Sequence, residues 1–164
     1  MSAELDIYDL EGALEEALAT VLRTYDFVVS TPNNSDFQKA RPRIEVTALE
    51  SGGAGRPLKE TGAAHPAIGQ LRETGWGMQV KLELITGVDI TTHRALRAKL
   101  RNKMAKICIP LNAAMLNHHI HSCKNGGSQP IYKAQDGFYQ SVHIYNLEIE
   151  ATEDAFTTLA AEEA

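Results

Sequence analysis

The chain has few cysteines and no long apolar run. Its 164 residues include two cysteines, Cys108 and Cys123, and these are not spaced as Cys-x-x-Cys. A disulfide framework is therefore not expected. No stretch approaches the ~18 consecutive apolar residues of a membrane-spanning helix, and the acidic N-terminus does not resemble a signal peptide. These absences predict a soluble intracellular protein without a membrane partner.

Common catalytic signatures are also missing. The sequence contains no Gly-x-Ser-x-Gly elbow and no His-Glu-x-x-His motif. Its glycine-rich run at residues 52–56 lacks the Lys-[Ser/Thr] ending of a phosphate-binding loop. We therefore predict that the protein is not an enzyme.

Charge is distributed very unevenly along the chain. Residues 91–110 hold six basic residues and no acid, whereas the first twenty residues hold six acids and no base. The net charge is -5, which disfavours nonspecific DNA binding as the main role because such binding depends on an excess of Lys and Arg.

Both charged stretches are predicted to be amphipathic helices. In residues 9–24, apolar side chains from Leu10 to Leu22 recur at i, i+3, i+4 and i+7, forming one continuous stripe. In residues 91–110 the apolar stripe is shorter, and Thr91 or Thr92 is the expected N-cap. That stripe comprises Leu96, Leu100, Met104 and Ile107.

Alternating apolar and polar residues predict the strands. The two clearest are a strand that follows Pro42 and a strand over residues 76–86. Shorter strands are expected at 27–30 and 118–122, with a turn or bulge at 124–128. The polar positions of the two clear strands would form a wet second face. These positions are Glu45, Thr47, Gln79, Lys81 and Glu83.

The last predicted strand, residues 138–150, carries apolar residues at both parities. Val142 and Ile144 share one parity, whereas Tyr145, Leu147 and Ile149 share the other. Either both faces of this strand are partly covered, or a bulge lies near Tyr145.

These elements predict an α/β protein of the α+β type. We expect one mixed or antiparallel sheet of four to five strands with two helices packed on one face. Residues 1–151 would form a single domain containing a long loop at 51–74, and residues 152–164 an acidic C-terminal tail.

Histidines cluster at residues 118–121. On a regular strand, His119, His121 and Cys123 would alternate onto one face and offer imidazole and thiol ligands to a metal. His143 is the one distant candidate for a further ligand. A polar strand face is the competing interpretation and the one we adopt, so that no metal site is predicted.

The basic helix has three interpretations. It is a solvated face, a surface that meets acids of a neighbouring copy, or the lining of a ring through which DNA passes without sequence-specific binding. We adopt the second, because a head-to-tail contact between unlike surfaces closes into a ring when the rotation allows. The expected interface residues are Arg94, Arg97, Arg101 and Lys103 on one side and Glu11 and Glu15 on the other.

In the order of its predicted elements and in its local sequence patterns, the segment 10–150 resembles the tail terminator proteins of long-tailed bacteriophages. These are also called tail completion or minor tail protein U-like proteins. The resemblance lies in the opening helix LEGALEEAL, the strand RPRIEV leading into a Gly-rich loop, and the strand WGMQVKLELIT followed directly by the basic helix and two late strands.

This resemblance implies a small structural protein of the virion tail or neck, assembled in the host cytoplasm. It implies a homo-oligomeric ring, usually a hexamer, that stops growth of the tail tube and presents a docking surface for the filled head. The implied partners are the tail-tube protein and a head-completion or neck protein, with no cofactor. Another neck or tail-tube structural protein is one alternative. A metal-binding module or enzyme that uses His119, His121 and Cys123 is the other.

Overall fold

The computed structural model describes residues 10–32, 42–50, 64–65, 69–70, 75–115 and 118–151. These ranges contain three helices and eight strands. The helices are α1 (Leu10–Arg23), α2 (Ile90–Met104) and α3 (Cys108–Ala114). The strands are β1 (Val29–Ser30), β2 (Arg43–Glu50), β3 (Ala64–His65), β4 (Gly69–Gln70), β5 (Gly75–Ile85), β6 (His118–Ser128), β7 (Tyr132–Lys133) and β8 (Tyr139–Ala151).

The main sheet is mixed and open, with strand order β1-β2-β5-β8-β6 and with β7 paired to β8. Only the β1–β2 pair is parallel, and the other pairs of this sheet are antiparallel. The predicted α+β class is confirmed. Strands β3 and β4 pair with each other inside the expected long loop at 51–74, most of which lies outside the described residues, as does the predicted tail.

One face of the sheet is apolar, as the alternation predicted. Ile44 and Val46 on β2 are fully buried. Met78, Val80, Leu82 and Leu84 of β5 are fully buried beside them. The opposite face is polar, with Gln79 and Lys81 exposed. The period of two along the strands therefore separates a core face from an open face.

All three helices cover the apolar face, because their buried residues belong to one hydrophobic cluster with the core residues of the sheet. Helix α1 was predicted within one residue at each end, and its Leu14, Leu18 and Leu22 are fully buried. The strand expected at 27–30 is shorter, since only Val29 and Ser30 pair with β2.

The basic stretch forms two helices rather than one. Pro110 explains the break: it has no N–H and its ring clashes with the carbonyl four residues earlier, so it is tolerated in the first turn of α3 but not inside a longer helix. The expected threonine cap was wrong. Helix α2 begins at Ile90, and Asp89 is its N-cap, with Oδ1 accepting a hydrogen bond from the Thr91 N–H at 2.9 Å.

The pairing of β8 and β6 shows why the last strand carries apolar residues at both parities. β8 pairs with β5 without a register shift, and Val142 and Ile144 are half-buried, so both faces of β8 are partly covered. The bulges lie in β6 instead, between Ile120 and Ser122 and between Asn125 and Gly127. The predicted turn or bulge at 124–128 is thus a bulge within a longer strand.

Gly126 brings the backbone of the second bulge close to the Asn146 side chain. A Cβ atom there would lie 2.5 Å from Nδ2 of Asn146, which is closer than any normal contact. In the described ranges, no helix has both the length and the apolar composition that crossing a bilayer requires.

Candidate assembly surface

Helix α2 separates its lysines from its arginines. The Lys99 ammonium donates a hydrogen bond to the Tyr25 carbonyl at 2.6 Å and lies 4.7 Å from the centroid of the Phe27 ring. The Lys103 ammonium lies 4.6 Å from the centroid of the Tyr25 ring. These cation–π contacts attach α2 to the segment that follows α1. Lys103, a predicted interface residue, is therefore used within the protomer.

The other side of α2 carries Arg94, Arg97 and Arg101, which we call the arginine flank. Their spacing of three and then four residues places them in one row on the helix. Arg94 and Arg101 are exposed. In the part of the chain that the structure describes, neither makes a hydrogen bond or an ion pair, and α2 itself contains no acid.

Arg97 joins this row to the rest of the fold, but loosely. Its Nη2 donates to the Gln129 carbonyl at a long 3.4 Å, and its buried Nε has no partner among the described residues. Burial, and then the neighbouring Arg101, lower the pKa of Arg97. The arginine flank is thus a crowded row of like charges with donor capacity that the described protomer does not use.

The acids of α1 are placed differently from the expectation. Glu15 is only 7 % exposed, and its Oε2 accepts a hydrogen bond from the Ala48 N–H on β2 at 2.8 Å. Glu16 accepts a hydrogen bond from the Thr31 hydroxyl at 2.6 Å, and Glu11 is half-buried. Glu15 therefore satisfies a strand N–H beyond the short strand β1, and we do not assign it to an interface between copies.

The opposite edge of the sheet is covered in a similar way. The Asn112 side chain on α3 accepts from the Ile120 N–H at 2.6 Å and donates to the Ile120 carbonyl at 3.2 Å. An amide side chain thus occupies the outer edge of β6 as a neighbouring strand would. Since both edges carry such side chains, contacts between copies are better served by side-chain surfaces than by an extended sheet.

The open face of the sheet presents carboxylates. Glu45 is held by Arg43 at 3.0 Å, and Glu150 by His121 at 2.6 Å. Glu148 is exposed and has no hydrogen-bond or ion-pair partner in the described ranges. Its cross-strand neighbour on β5 is Gly77, so no side chain of that residue stands over the carboxylate.

The histidine cluster does not have the predicted geometry. His119 and His121 lie together, with ring centroids 4.6 Å apart. Cys123 lies on the other side, paired with Leu147 and packed against the core. The bulge between Ile120 and Ser122 inserts an extra residue and so reverses the parity of the later residues of β6.

Cys123 and His143 also lie among core residues, away from His119 and His121 on the outside of the sheet. Burial, and then Cys108, raise the pKa of the Cys123 thiol to about 12, so without a bound metal it is protonated at neutral pH. His143, the distant candidate, is 1 % exposed and belongs to the core face. Among the described residues, no three such side chains are arranged to hold a metal ion.

A buried polar chain, which the sequence analysis missed, joins α2 to the sheet. The Thr86 hydroxyl lies 2.9 Å from His93 Nδ1, and His93 Nε2 lies 2.8 Å from the Ser141 hydroxyl. That hydroxyl lies 2.9 Å from His143 Nε2. Burial lowers the pKa of both histidines, that of His143 to about 4, so both are neutral at pH 7.

A serine between two imidazoles invites comparison with a nucleophile and its base. Ser141, however, is 2 % exposed, so its oxygen does not face a substrate. The chain is better described as a satisfied hydrogen-bond network that fixes the position of α2. Its members were predictable as buried, because Ser141 and His143 share the parity of Tyr145 and His93 lies on the side of Leu100.

In comparisons with known proteins, the chain matches no protein-family model, and no curated protein matches it in sequence.

Proposed function

We propose that the protein is a structural subunit that assembles head to tail into a ring, of the kind found at the end of a phage tail tube. In that role it would stop growth of the tube and present the surface to which the filled head is joined. Its partners would be the tail-tube protein and a head-completion or neck protein.

The arginine flank is the observation that supports this proposal. It is a cationic row whose two ends, Arg94 and Arg101, are exposed, and none of its members has an acidic partner among the described residues. Residues 91–110 contain six of the 16 Lys and Arg residues and none of the 21 acids. Such charges mainly orient partners and speed their association. A surface of this kind suits a protein that must select one partner in one orientation.

The order of elements adds support through the resemblance to tail terminator proteins. The opening acidic helix, the strand after Pro42, the long strand β5 and the basic helix behind it are in the order seen in that family.

Light scattering with mass determination, over a range of protein concentrations, tests the assembly. We expect a ring of defined mass, visible by negative-stain electron microscopy. The double variant Arg97→Glu with Arg101→Glu should lower the mass towards that of one chain, while circular dichroism shows that the protomer is still folded.

Lys106→Glu is the matched control for this experiment. Lys106 is exposed and belongs to the same basic stretch, but it lies beyond the end of α2. It should leave assembly intact. A wild-type protein that stays monomeric at the highest concentration and binds no tail-tube protein would contradict the proposed function.

A further inference from the structure

Glu148 differs from the other acids on the open face of the sheet. Glu45 and Glu150 have basic partners within the protomer, and Glu83 is half-buried. Glu148 alone among these four is exposed, and it stands on β8, which is paired on both sides. Its carboxylate is therefore held on a rigid support, and no basic side chain in the described ranges neutralises it.

The strand neighbours of Glu148 are small residues. Its neighbour on β5 is Gly77, and its neighbour on β6 is Ser122. Neither neighbour carries a long side chain that would cover the carboxylate from the adjacent strand. A planar guanidinium that approaches this position can form two parallel hydrogen bonds with a carboxylate.

We infer that the arginine flank of one copy binds Glu148 on the open sheet face of the next copy. This inference rests on the ring assembly proposed above and names the contact that builds it. Arg101 is the central contributor, because it is exposed and because like-charge crowding with Arg97 is relieved when a carboxylate arrives.

The two surfaces lie on opposite sides of the molecule. The arginine flank belongs to the helix layer, whereas Glu148 lies on the sheet face that the helices leave open. One copy cannot satisfy both surfaces by itself, and each copy offers one of each. The contact is therefore heterologous, and its repetition gives a closed ring when the rotation between copies divides a full turn.

Charge reversal at the two exposed positions tests the contact. Arg101→Glu and Glu148→Arg should each raise the dissociation constant of the assembly by about tenfold or more, because like charges then face each other across the contact. Carrying both substitutions in one chain should return the dissociation constant to within about threefold of wild type, as a charge-pair coupling predicts. Sedimentation velocity over a concentration series measures this.

Mixing the two single variants gives a sharper test of the head-to-tail arrangement. In an equimolar mixture with alternating copies, every reversed flank meets a reversed site and every native flank meets a native site. Assembly should therefore reappear on mixing, although each variant alone remains dissociated. Lys106→Glu mixed with wild type serves as the control and should assemble throughout.

The outcomes separate this inference from the proposed function. If the wild-type protein forms a ring and Glu148→Arg also forms it, the Glu148 contact is wrong and the proposed ring assembly stands. The inference is also overturned if Arg101→Glu abolishes assembly and adding Glu148→Arg does not restore it. In that case the arginine flank binds an acid other than Glu148. A wild-type protein that never assembles overturns both.

Discussion

Acid should destabilise this fold through its buried histidines. His143 is 1 % exposed and hydrogen-bonded to Ser141. Burial, followed by the positive charges of Arg97 and Arg101 and by His93, lowers its pKa from 6.5 to about 4. Protonation would place a new cation in a buried position beside two arginines, so the folded protein resists it.

The size of the effect is set by the two pKa values. Above pH 6.5 the imidazole is neutral in both the folded and the unfolded chain, and its full contribution to stability is present. Between pH 6.5 and about 4 the unfolded chain binds a proton that the folded protein does not bind. At about 1.4 kcal/mol per pKa unit, His143 alone lowers the free energy of unfolding by roughly 3 kcal/mol between pH 7 and pH 4.

Urea unfolding at a series of pH values, followed by circular dichroism, measures this loss. His143→Asn removes the titrating group but keeps a polar side chain, so its unfolding free energy should fall by roughly 3 kcal/mol less than that of wild type over the same pH interval. His119→Gln removes an exposed histidine and is the matched control. Parallel pH profiles for wild type and His143→Asn would refute the assignment of a low pKa to His143.

Two further predictions concern the side chains at the sheet edges. Glu15→Ala leaves the Ala48 N–H without the carboxylate it bonds, and it should lower the free energy of unfolding by about 1–3 kcal/mol in urea titrations; Glu15→Gln, which keeps an acceptor, should lose much less, and equal losses would contradict this role. Asn112→Ala removes both hydrogen bonds to Ile120 and should lower stability by about 1–3 kcal/mol, while uncovering a strand edge. Light scattering should then show more concentration-dependent aggregation than for Asn112→Asp, which still accepts from the Ile120 N–H.

Regular periodicity made most of the fold predictable. The stripe from Leu10 to Leu22 is long and continuous, and β5 is eleven residues long and alternates from Trp76 to Leu84, so a single packing solution fits each pattern. The third helix was missed because α3 has seven residues, too few for a helical period to appear. The cap at Asp89 was missed because the helix begins two or three residues upstream of the start that a Thr91 or Thr92 cap implies.

The candidate site was less predictable, since its geometry depends on residues that are distant in sequence. The basic residues of α2 could be counted from the sequence. Which of them contact Tyr25 and Phe27 depends on where α1 ends, and only the lysines do. Likewise, nothing in the sequence distinguishes Glu15 from an exposed glutamate. Its use at Ala48 results from a strand β1 of only two residues.

The sequence by itself determined the helices, the long strands, the sheet face that is buried and the separation of basic from acidic segments, because each depends on local spacing and composition. The tertiary structure decided which charges remain available to a second copy. It also decided the parity of β6, where an inserted residue turns Cys123 to the core and leaves His119 and His121 outside. Those features depend on strand register and on contacts between distant segments, and no local pattern encodes them.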